Sequence, residues 1–264
     1  MRFWTSVFIF LCVLLMGVPL ALAQKGEQIK MTVLYDNTIF AEGTQADWGF
    51  ACLIEGTEKT ILFDTGTKSD VLLHNLKLLK VDLEKVDQIV ISHNHGDHTG
   101  GLSSVLDRNS KVSVYYPYSF PETFVQNVKG KGAVSVPVDK SVEICKHVYS
   151  TGEMGDQIKE QSLIVDTPKG LVIVTGCSHQ GIVDVLKRAK EISDKDIYLV
   201  FGGFHLMQHS EAQVKEIIEA FRSLGVKKCG ATHCTGDAAI DLFRKAFWED
   251  YVRMGTGKVI TISE

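Results

Sequence analysis

Two kinds of apolar segment alternate along the chain and predict a mixed α/β (α+β) fold. Near the start, "KMTVLYD", "GFACLIEG" and "KTILFDTG" are short, rich in β-branched and aromatic residues, and bounded by Gly or Asp, as strands are. "SDVLLHNLKLLK" follows with apolar residues at helical spacing, and Ser69 or Asp70 is its expected N-cap. Later, "SEAQVKEIIEAFRSLGV" predicts an amphipathic helix, with an apolar face made of Val214, Ile217, Ile218, Phe221 and Leu224.

A strand that leads to a histidine and is followed by a helix recurs four times. "VDQIVISH" ends at His93, "GLVIVTGCSH" ends at His179, "DIYLVFGGFH" ends at His205, and "KKCGATHCTG" contains His233. Ligand sites in layered α/β folds lie at the ends of strands. The sequence therefore predicts that these four histidines meet in one cleft.

The N-terminal segment forms a separate unit. "MRFWTSVFIFLCVLLMGVPLALAQ" has Arg2, then an uncharged apolar run, then Ala21-Leu22-Ala23 before polar residues, which is the order of a secretory signal peptide. We therefore expect residues 1–23 to be a signal peptide that is cleaved after Ala23. Residues 24–264 then form one exported domain, in the periplasm or outside the cell. The apolar run is also long enough to span a bilayer, so an uncleaved membrane anchor is the alternative.

Charge and cysteine content narrow the choice of partners. The formal net charge is −4 and no cluster of Lys and Arg is present, so nucleic acid is not an expected partner. The expected partner is a small-molecule substrate. A membrane is a partner only if the N-terminal segment stays attached, and the sequence leaves the oligomeric state open. Without Cys12, five cysteines remain, so at least one is unpaired or bound to a metal.

The segment "SHNHGDHTGG" carries the densest group of metal-ligand residue types. His93 and His95 alternate, so in extended backbone their side chains point the same way. Gly96 permits a turn that brings Asp97 and His98 to a neighbouring point. Neutral imidazole and carboxylate bind zinc and similar divalent metals. The spacing therefore predicts two adjacent metal positions.

"FDTG" at 63–66, HxHxDH at 93–98 and the later histidines resemble the metallo-β-lactamase superfamily. The resemblance implies a four-layer αβ/βα sandwich in which loops at the strand ends surround the metals. It also implies two ligand sets, one made of His93, His95 and His179, the other of Asp97, His98 and His233. Zinc is the expected metal, with one or two ions per chain, and manganese, iron and nickel are alternatives.

The chain departs from this pattern in one place. Most hydrolases of the superfamily carry an aspartate that bridges both metals, on the strand between the last two histidines, whereas "YLVFGGFHL" ends without one. Either His205 takes its place as a ligand, or water alone forms the bridge. His205 has two further interpretations, as a proton donor to the leaving group and as a buried histidine. Asp97, which would bind metal and orient the attacking water, and His205 are the predicted catalytic residues.

A narrower resemblance rests on "ADWGFACLIE", "TGCSHQGI", "GGFHL" and "THCTG", which look like the branch named for dihydropterin ribofuranosyl-aminobenzene phosphate synthase. The ligand types favour a hydrolase that uses a metal-bound hydroxide on an ester, lactone or phosphodiester. Two alternatives remain: a synthase or transferase related to that carbon-joining step, and a non-catalytic metal- or ligand-binding protein. Export argues against the synthase, because a phosphorylated pterin intermediate is a cytoplasmic metabolite.

Five residues near these motifs have a structural and a functional interpretation. Asp64 orients a ligand or loop, or it caps the following helix. Cys177 is interpreted as a small buried hydrophobe rather than a ligand, and Cys234 is expected to point into the core. Trp48 and Phe50 are expected to pack in the core rather than to stack on an aromatic substrate.

Overall fold

The computed structural model of the protein describes residue 1 and residues 28–263. The predicted signal peptide, from residue 2 onward, and the predicted cleavage site after Ala23 lie outside the described residues. Among the helices of the described part, none is long and apolar enough to cross a membrane. The division into a signal peptide and a single domain therefore stays a prediction.

Strands make up most of the regular structure, and helices follow them at intervals. The strands are β1 (Ile29–Tyr35), β2 (Ala51–Glu55), β3 (Ile61–Phe63), β4 (Gln88–Val90), β5 (Ser113–Pro117), β6 (Val134–Val138), β7 (Lys140–Cys145), β8 (Val148–Gly152), β9 (Leu163–Thr167), β10 (Gly170–Thr175), β11 (Ile197–Gly203), β12 (Lys228–Thr232) and β13 (Val259–Ile262). The helices are α1 (Ser69–Leu78), α2 (Gly96–Thr99), α3 (Leu102–Leu106), α4 (Glu122–Gly130), α5 (Ile182–Ile192), α6 (Glu211–Ser223) and α7 (Asp237–Phe247).

The strands form two sheets. The first has the order β13-β1-β2-β3-β4-β5-β6, and the second has the order β12-β11-β10-β9-β8-β7. The last strand, β13, pairs antiparallel with β1, so that Ile262 lies opposite Ile29. Both ends of the described domain therefore belong to the same edge of the first sheet.

Three apolar clusters separate four layers. One lies between the first sheet and helices α1, α3 and α4, one between the two sheets, and one between the second sheet and helices α5, α6 and α7. Strand β10 shows how one strand contributes to two clusters. Val172 and Val174 belong to the cluster between the sheets, whereas Leu171 and Ile173 face the helices. A strand buried on both faces is an unbroken apolar run. The predicted αβ/βα sandwich is confirmed.

The expected N-cap of α1 is wrong. The N-cap position is Lys68, in extended backbone and without a side-chain cap. The hydroxyl of Ser69 instead donates a hydrogen bond to the carbonyl of Gly100, 3.4 Å away. The hydroxyl that the sequence pattern assigns to capping α1 therefore binds the loop that follows the histidine motif.

Strand direction decides where the site forms. Strands β3, β4 and β5 are parallel to one another, and so are β10, β11 and β12. Their carboxyl ends therefore lie at one edge of each sheet. Asp64 directly follows β3, and His93 lies three residues after β4. His205 and His233 follow β11 and β12 in the same way.

Candidate metal centre

The first group of donor atoms consists of His93, His95 and His179. One ring nitrogen from each lies within 4.8 Å of the others. Nε2 of His93 is 3.1 Å from Nδ1 of His95, and the ring centroids of His93 and His179 are 4.7 Å apart. The structure therefore brings together the three residues that the resemblance assigns to one metal.

The second group consists of Asp97, His98 and His233, and the sulfur of Cys177 joins it within the same 4.8 Å limit. Oδ2 of Asp97 lies 3.6 Å from Nε2 of His98 and 3.3 Å from Nε2 of His233. The ring centroids of His93 and His98 are 4.2 Å apart, so the two groups are neighbours. This is the arrangement that two adjacent metal positions require.

Asp64 and Ser92, which follow strands β3 and β4 of the first sheet, hold the Nδ1 atoms of His93 and His98. Nδ1 of His93 lies 2.9 Å from the hydroxyl of Ser92, which donates to Oδ2 of Asp64 at 2.7 Å. Nδ1 of His98 lies 2.7 Å from the same carboxylate oxygen. Hydrogen bonding at Nδ1 fixes the tautomer and leaves Nε2 as the donor atom for a metal. Asp64 therefore orients His98 and does not cap a helix.

Two further residues hold His179 and His233, and the sequence carries no motif for either. Nδ1 of His179 lies 2.9 Å from Oε2 of Glu160, which is fully buried. Nδ1 of His233 lies 3.0 Å from Oδ1 of Asn37. In sequence these partners are 19 and 196 positions away from their histidines.

The protonation states of His93, His98 and Asp97 suit metal binding. Burial lowers the pKa of His93 and of His98 to about 3, so both rings are neutral at neutral pH. Burial alone would raise the pKa of Asp97, but the close approach of the His233 and His98 rings outweighs it and holds the pKa below its usual range. Nε2 of His233 is buried and has no hydrogen-bond partner among the described residues. An unpartnered buried nitrogen facing a carboxylate fits a metal ligand.

His205 lies beside the first group but belongs to neither ligand set. Its ring centroid is 4.4 Å from that of His179, and the residue is exposed. One of its ring nitrogens lies within 4.8 Å of the sulfurs of Cys177 and Cys234. Its hydrogen bond with Cys234 raises its pKa above the ordinary value. The structure therefore places His205 at the open rim of the site, on the wall of a cleft.

The orientation expected for Cys234 is wrong. Its sulfur lies 3.6 Å from the carbonyl oxygen of Cys177, on the side of the site rather than in the core behind it. The reason is the backbone of His233, which has φ +51° and begins a short 3-10 turn. The alternation of side chains that holds in a strand ends there.

The expected packing of Trp48 in the core is also wrong, whereas Phe50 is fully buried as expected. The indole of Trp48 is 44% exposed and lies 4.9 Å from the ring of His233, centroid to centroid. Its Nε1 donates to Oδ2 of Asp97 at 2.9 Å. An indole N–H requires a partner, and here that partner is a predicted metal ligand.

Four of the residues with left-handed backbone border the site. Asp64, Ser178, His205 and His233 have φ between +51° and +65°. This conformation costs a non-glycine residue free energy, so it persists only where the surrounding structure fixes it, which is common at functional sites. The strain is consistent with loops shaped for the donor groups.

Two clefts open beside the donor groups. One, of about 640 Å³, is lined by His179, Gln180 and His205 together with Asp156 and Asp184. The other, of about 260 Å³, has His95 on its wall. Residues 157 and 158, in the loop between β8 and β9, line both clefts. That loop also carries Glu160, so one segment both anchors a histidine and shapes the approach to it.

Comparisons with known proteins agree with this geometry. The family model described as the metallo-beta-lactamase superfamily matches residues 49–185. The chain belongs to this superfamily, whose members generally bind divalent metals. The chain is 32% identical to the 7,8-dihydropterin-6-methyl-4-(beta-D-ribofuranosyl)-aminobenzene-5'-phosphate synthase of Methanocaldococcus jannaschii, over 80% of this chain and 89% of that one. The resemblance drawn from the motifs is confirmed, including the branch.

Solved structures support the same fold. Tm1679, described as a metal-dependent hydrolase of the beta-lactamase superfamily, is 29% identical, with a TM-score of 0.73, over 89% of this chain and all of that one. The metallo-beta-lactamase fold protein YhfI from Bacillus subtilis is 16% identical, with a TM-score of 0.66, over 89% and 99% of the two chains. The second likeness bears on the fold alone.

Proposed function

We propose that the protein is a metal-dependent hydrolase of small esters, lactones or phosphodiesters. The observation that carries the proposal is the pair of adjacent donor groups beside an open cleft. Zinc is the metal we propose, because the first group consists of imidazole alone and the second of imidazole with carboxylate and thiol. Divalent metals held there would lower the pKa of bound water and polarise the oxygen of the substrate.

The chain's own residues have separate parts in this reaction. Asp97 holds the second position and accepts a hydrogen bond from Trp48, which fixes the carboxylate. His205, exposed beside His179, donates a proton to the leaving oxygen as its bond to the acyl carbon or phosphorus breaks. The buried side chains behind the histidines keep the rings from turning when substrate enters.

A matched pair of histidine variants tests this proposal. His95→Ala is expected to reduce the hydrolysis of chromogenic phosphodiesters, esters and lactones to background, because it removes a donor from the first group. His209→Ala is the control, since His209 is exposed and lies outside both groups. The measurement is initial rate on each substrate with zinc added to the mature protein. Equal rates in His95→Ala and the unaltered protein would contradict the proposal.

The second candidate is a synthase-type activity, which the 32% identity to the Methanocaldococcus jannaschii synthase favours. The same donor groups would then stabilise negative charge while a bond forms. No turnover on any hydrolysable substrate, together with tight binding of a 7,8-dihydropterin in the large cleft, would favour this activity. Hydrolysis that depends on His95, without pterin binding, favours the hydrolase.

We also propose that the protein is exported and that its signal peptide is removed after Ala23. The apolar run and the Ala-Leu-Ala end support this. N-terminal sequencing of protein recovered from the periplasm or culture medium is expected to begin at Gln24. A chain that keeps its first residues and sediments with membranes would point to an anchor instead.

A further inference from the structure

The second group of donor atoms needs an anionic ligand besides Asp97 if it is to match the usual bridged site. The end of β11 has no carboxylate, because it reads Gly202-Gly203 before Phe204. Two neutral imidazoles and one carboxylate leave a divalent ion with excess positive charge. The question is which nearby group supplies the second negative charge.

Sulfur occupies the space where a side chain at the end of β11 would lie. A Cβ atom added to Gly203 would come within 2.6 Å of the sulfur of Cys234 and 2.4 Å of the carbonyl oxygen of Gly176. It would also lie 3.2 Å from Cα of Cys177. No larger residue fits there without moving these atoms. The sulfur of Cys234 and the backbone of residues 176 and 177 therefore exclude an aspartate at position 203.

Only one of the two sulfurs faces the second group. The sulfur of Cys177 is 3.3 Å from Nε2 of His98, and it lies within 4.8 Å of donor atoms of Asp97 and His233. The sulfur of Cys234 instead groups with Cys177 and His205. Nε2 of His233, buried and without a hydrogen-bond partner in the described part of the chain, faces the same space.

The backbone around Cys177 is held firmly. Oε1 of Glu160 accepts hydrogen bonds from the amides of Cys177 and Ser178 at 2.7 and 2.8 Å. The hydroxyl of Ser178 donates to the carbonyl of Gly203 at 2.9 Å. These bonds fix the backbone from which the cysteine side chain projects before any ion binds. A ligand that is already oriented loses little conformational freedom on binding.

We propose that Cys177 binds the second metal as a thiolate, as the fourth ligand beside Asp97, His98 and His233. A thiolate is a strong ligand for zinc and adds the negative charge that the missing aspartate would carry. The residue leaves its thiol proton to solvent when the ion binds. This role concerns ligation alone, so it holds whichever reaction the site performs.

Cobalt is the probe that tests the sulfur directly. The metal-free mature protein is titrated with Co²⁺ alone, and a sulfur-to-cobalt charge-transfer band in the near ultraviolet is expected once the second position fills. Cys177→Ser is expected to lose the band. Its affinity for the second ion is expected to fall by more than the roughly 10–100-fold that follows the loss of a residue that only orients a ligand. Cys229→Ala, at a fully buried cysteine in β12, is the control and is expected to keep the band.

A band that is absent from the unaltered protein, or that survives in Cys177→Ser and disappears in Cys234→Ala, would overturn the assignment. If Cys177→Ser does not fold, X-ray absorption of the unaltered protein with two zinc ions decides the matter. One sulfur neighbour at about 2.3 Å for every two ions is expected, and only nitrogen and oxygen neighbours would overturn the proposal. Hydrolysis that persists without zinc–sulfur bonds would remove Cys177 as a ligand and leave the proposed hydrolase intact.

Discussion

A protein in which Glu160 is replaced by glutamine is expected to unfold at a clearly lower urea concentration and to bind its first metal about 10–100-fold more weakly. Glu160 is fully buried, and each of its two oxygens accepts two hydrogen bonds. The amide of glutamine replaces one oxygen with a donor. Two buried N–H groups then lose their acceptor, at about 1–3 kcal/mol each.

The two effects come from the two sides of the same carboxylate. Oε1 holds the amides of Cys177 and Ser178, whereas Oε2 holds the amide and ring of His179. Whichever way the new amide turns, one side is lost, so His179 is released either directly or through the backbone of the two residues that precede it. Urea unfolding of the metal-free protein measures the stability, and competition with a chelator measures the metal affinity. Glu42→Gln, at an exposed position, is the control. An unchanged unfolding midpoint and unchanged affinity would show that Glu160 is dispensable.

Asp64→Asn is expected to weaken binding of the second metal by about 10–100-fold and that of the first metal less, because His93 reaches this carboxylate only through the hydroxyl of Ser92. Asparagine tolerates the left-handed backbone of residue 64, which has φ +56°, so the loop shape is retained. Oδ1 of Asp64 accepts the amide of Ser92, and Oδ2 faces Nδ1 of His98. An amide nitrogen at the Oδ2 position donates to Nδ1 and forces the proton of His98 onto Nε2, where it blocks the metal.

Calorimetric titration with zinc separates the two positions in this variant. The expected trace has one tight ion and one weak ion, against two ions in the unaltered protein under the same conditions. Asp47→Asn is a suitable control, because Asp47 pairs with Lys68 near the surface and touches neither donor group. Two tight ions in Asp64→Asn would mean that the carboxylate does not set the tautomer of His98.

The part of the site that the sequence predicts is the part encoded at short range. His93, His95, Asp97 and His98 lie within six positions, and strand alternation followed by a turn at Gly96 is enough to divide them between two groups. The sandwich is predictable for a similar reason, since strands buried on both faces alternate with amphipathic helices.

What the sequence could not predict depends on contacts made across the fold. Glu160 and Asn37 lie in loops without a motif, and only the packed sheets bring them to His179 and His233. Strand alternation predicts that Cys234 points into the core, but the left-handed backbone of His233 interrupts that alternation. The position of Trp48 depends on a hydrogen bond to Asp97, 49 positions away.

The pairing of β13 with β1 has a consequence for the order of folding. Contacts between residues far apart in sequence require the closure of long loops, and folds dominated by them form slowly. The first sheet gains its outer strand only when the last residues of the domain are available, and Asn37 reaches His233 across 196 positions. We therefore expect the second metal position to form late in folding, so that an ion bound there stabilises the completed fold and does not act as its nucleus.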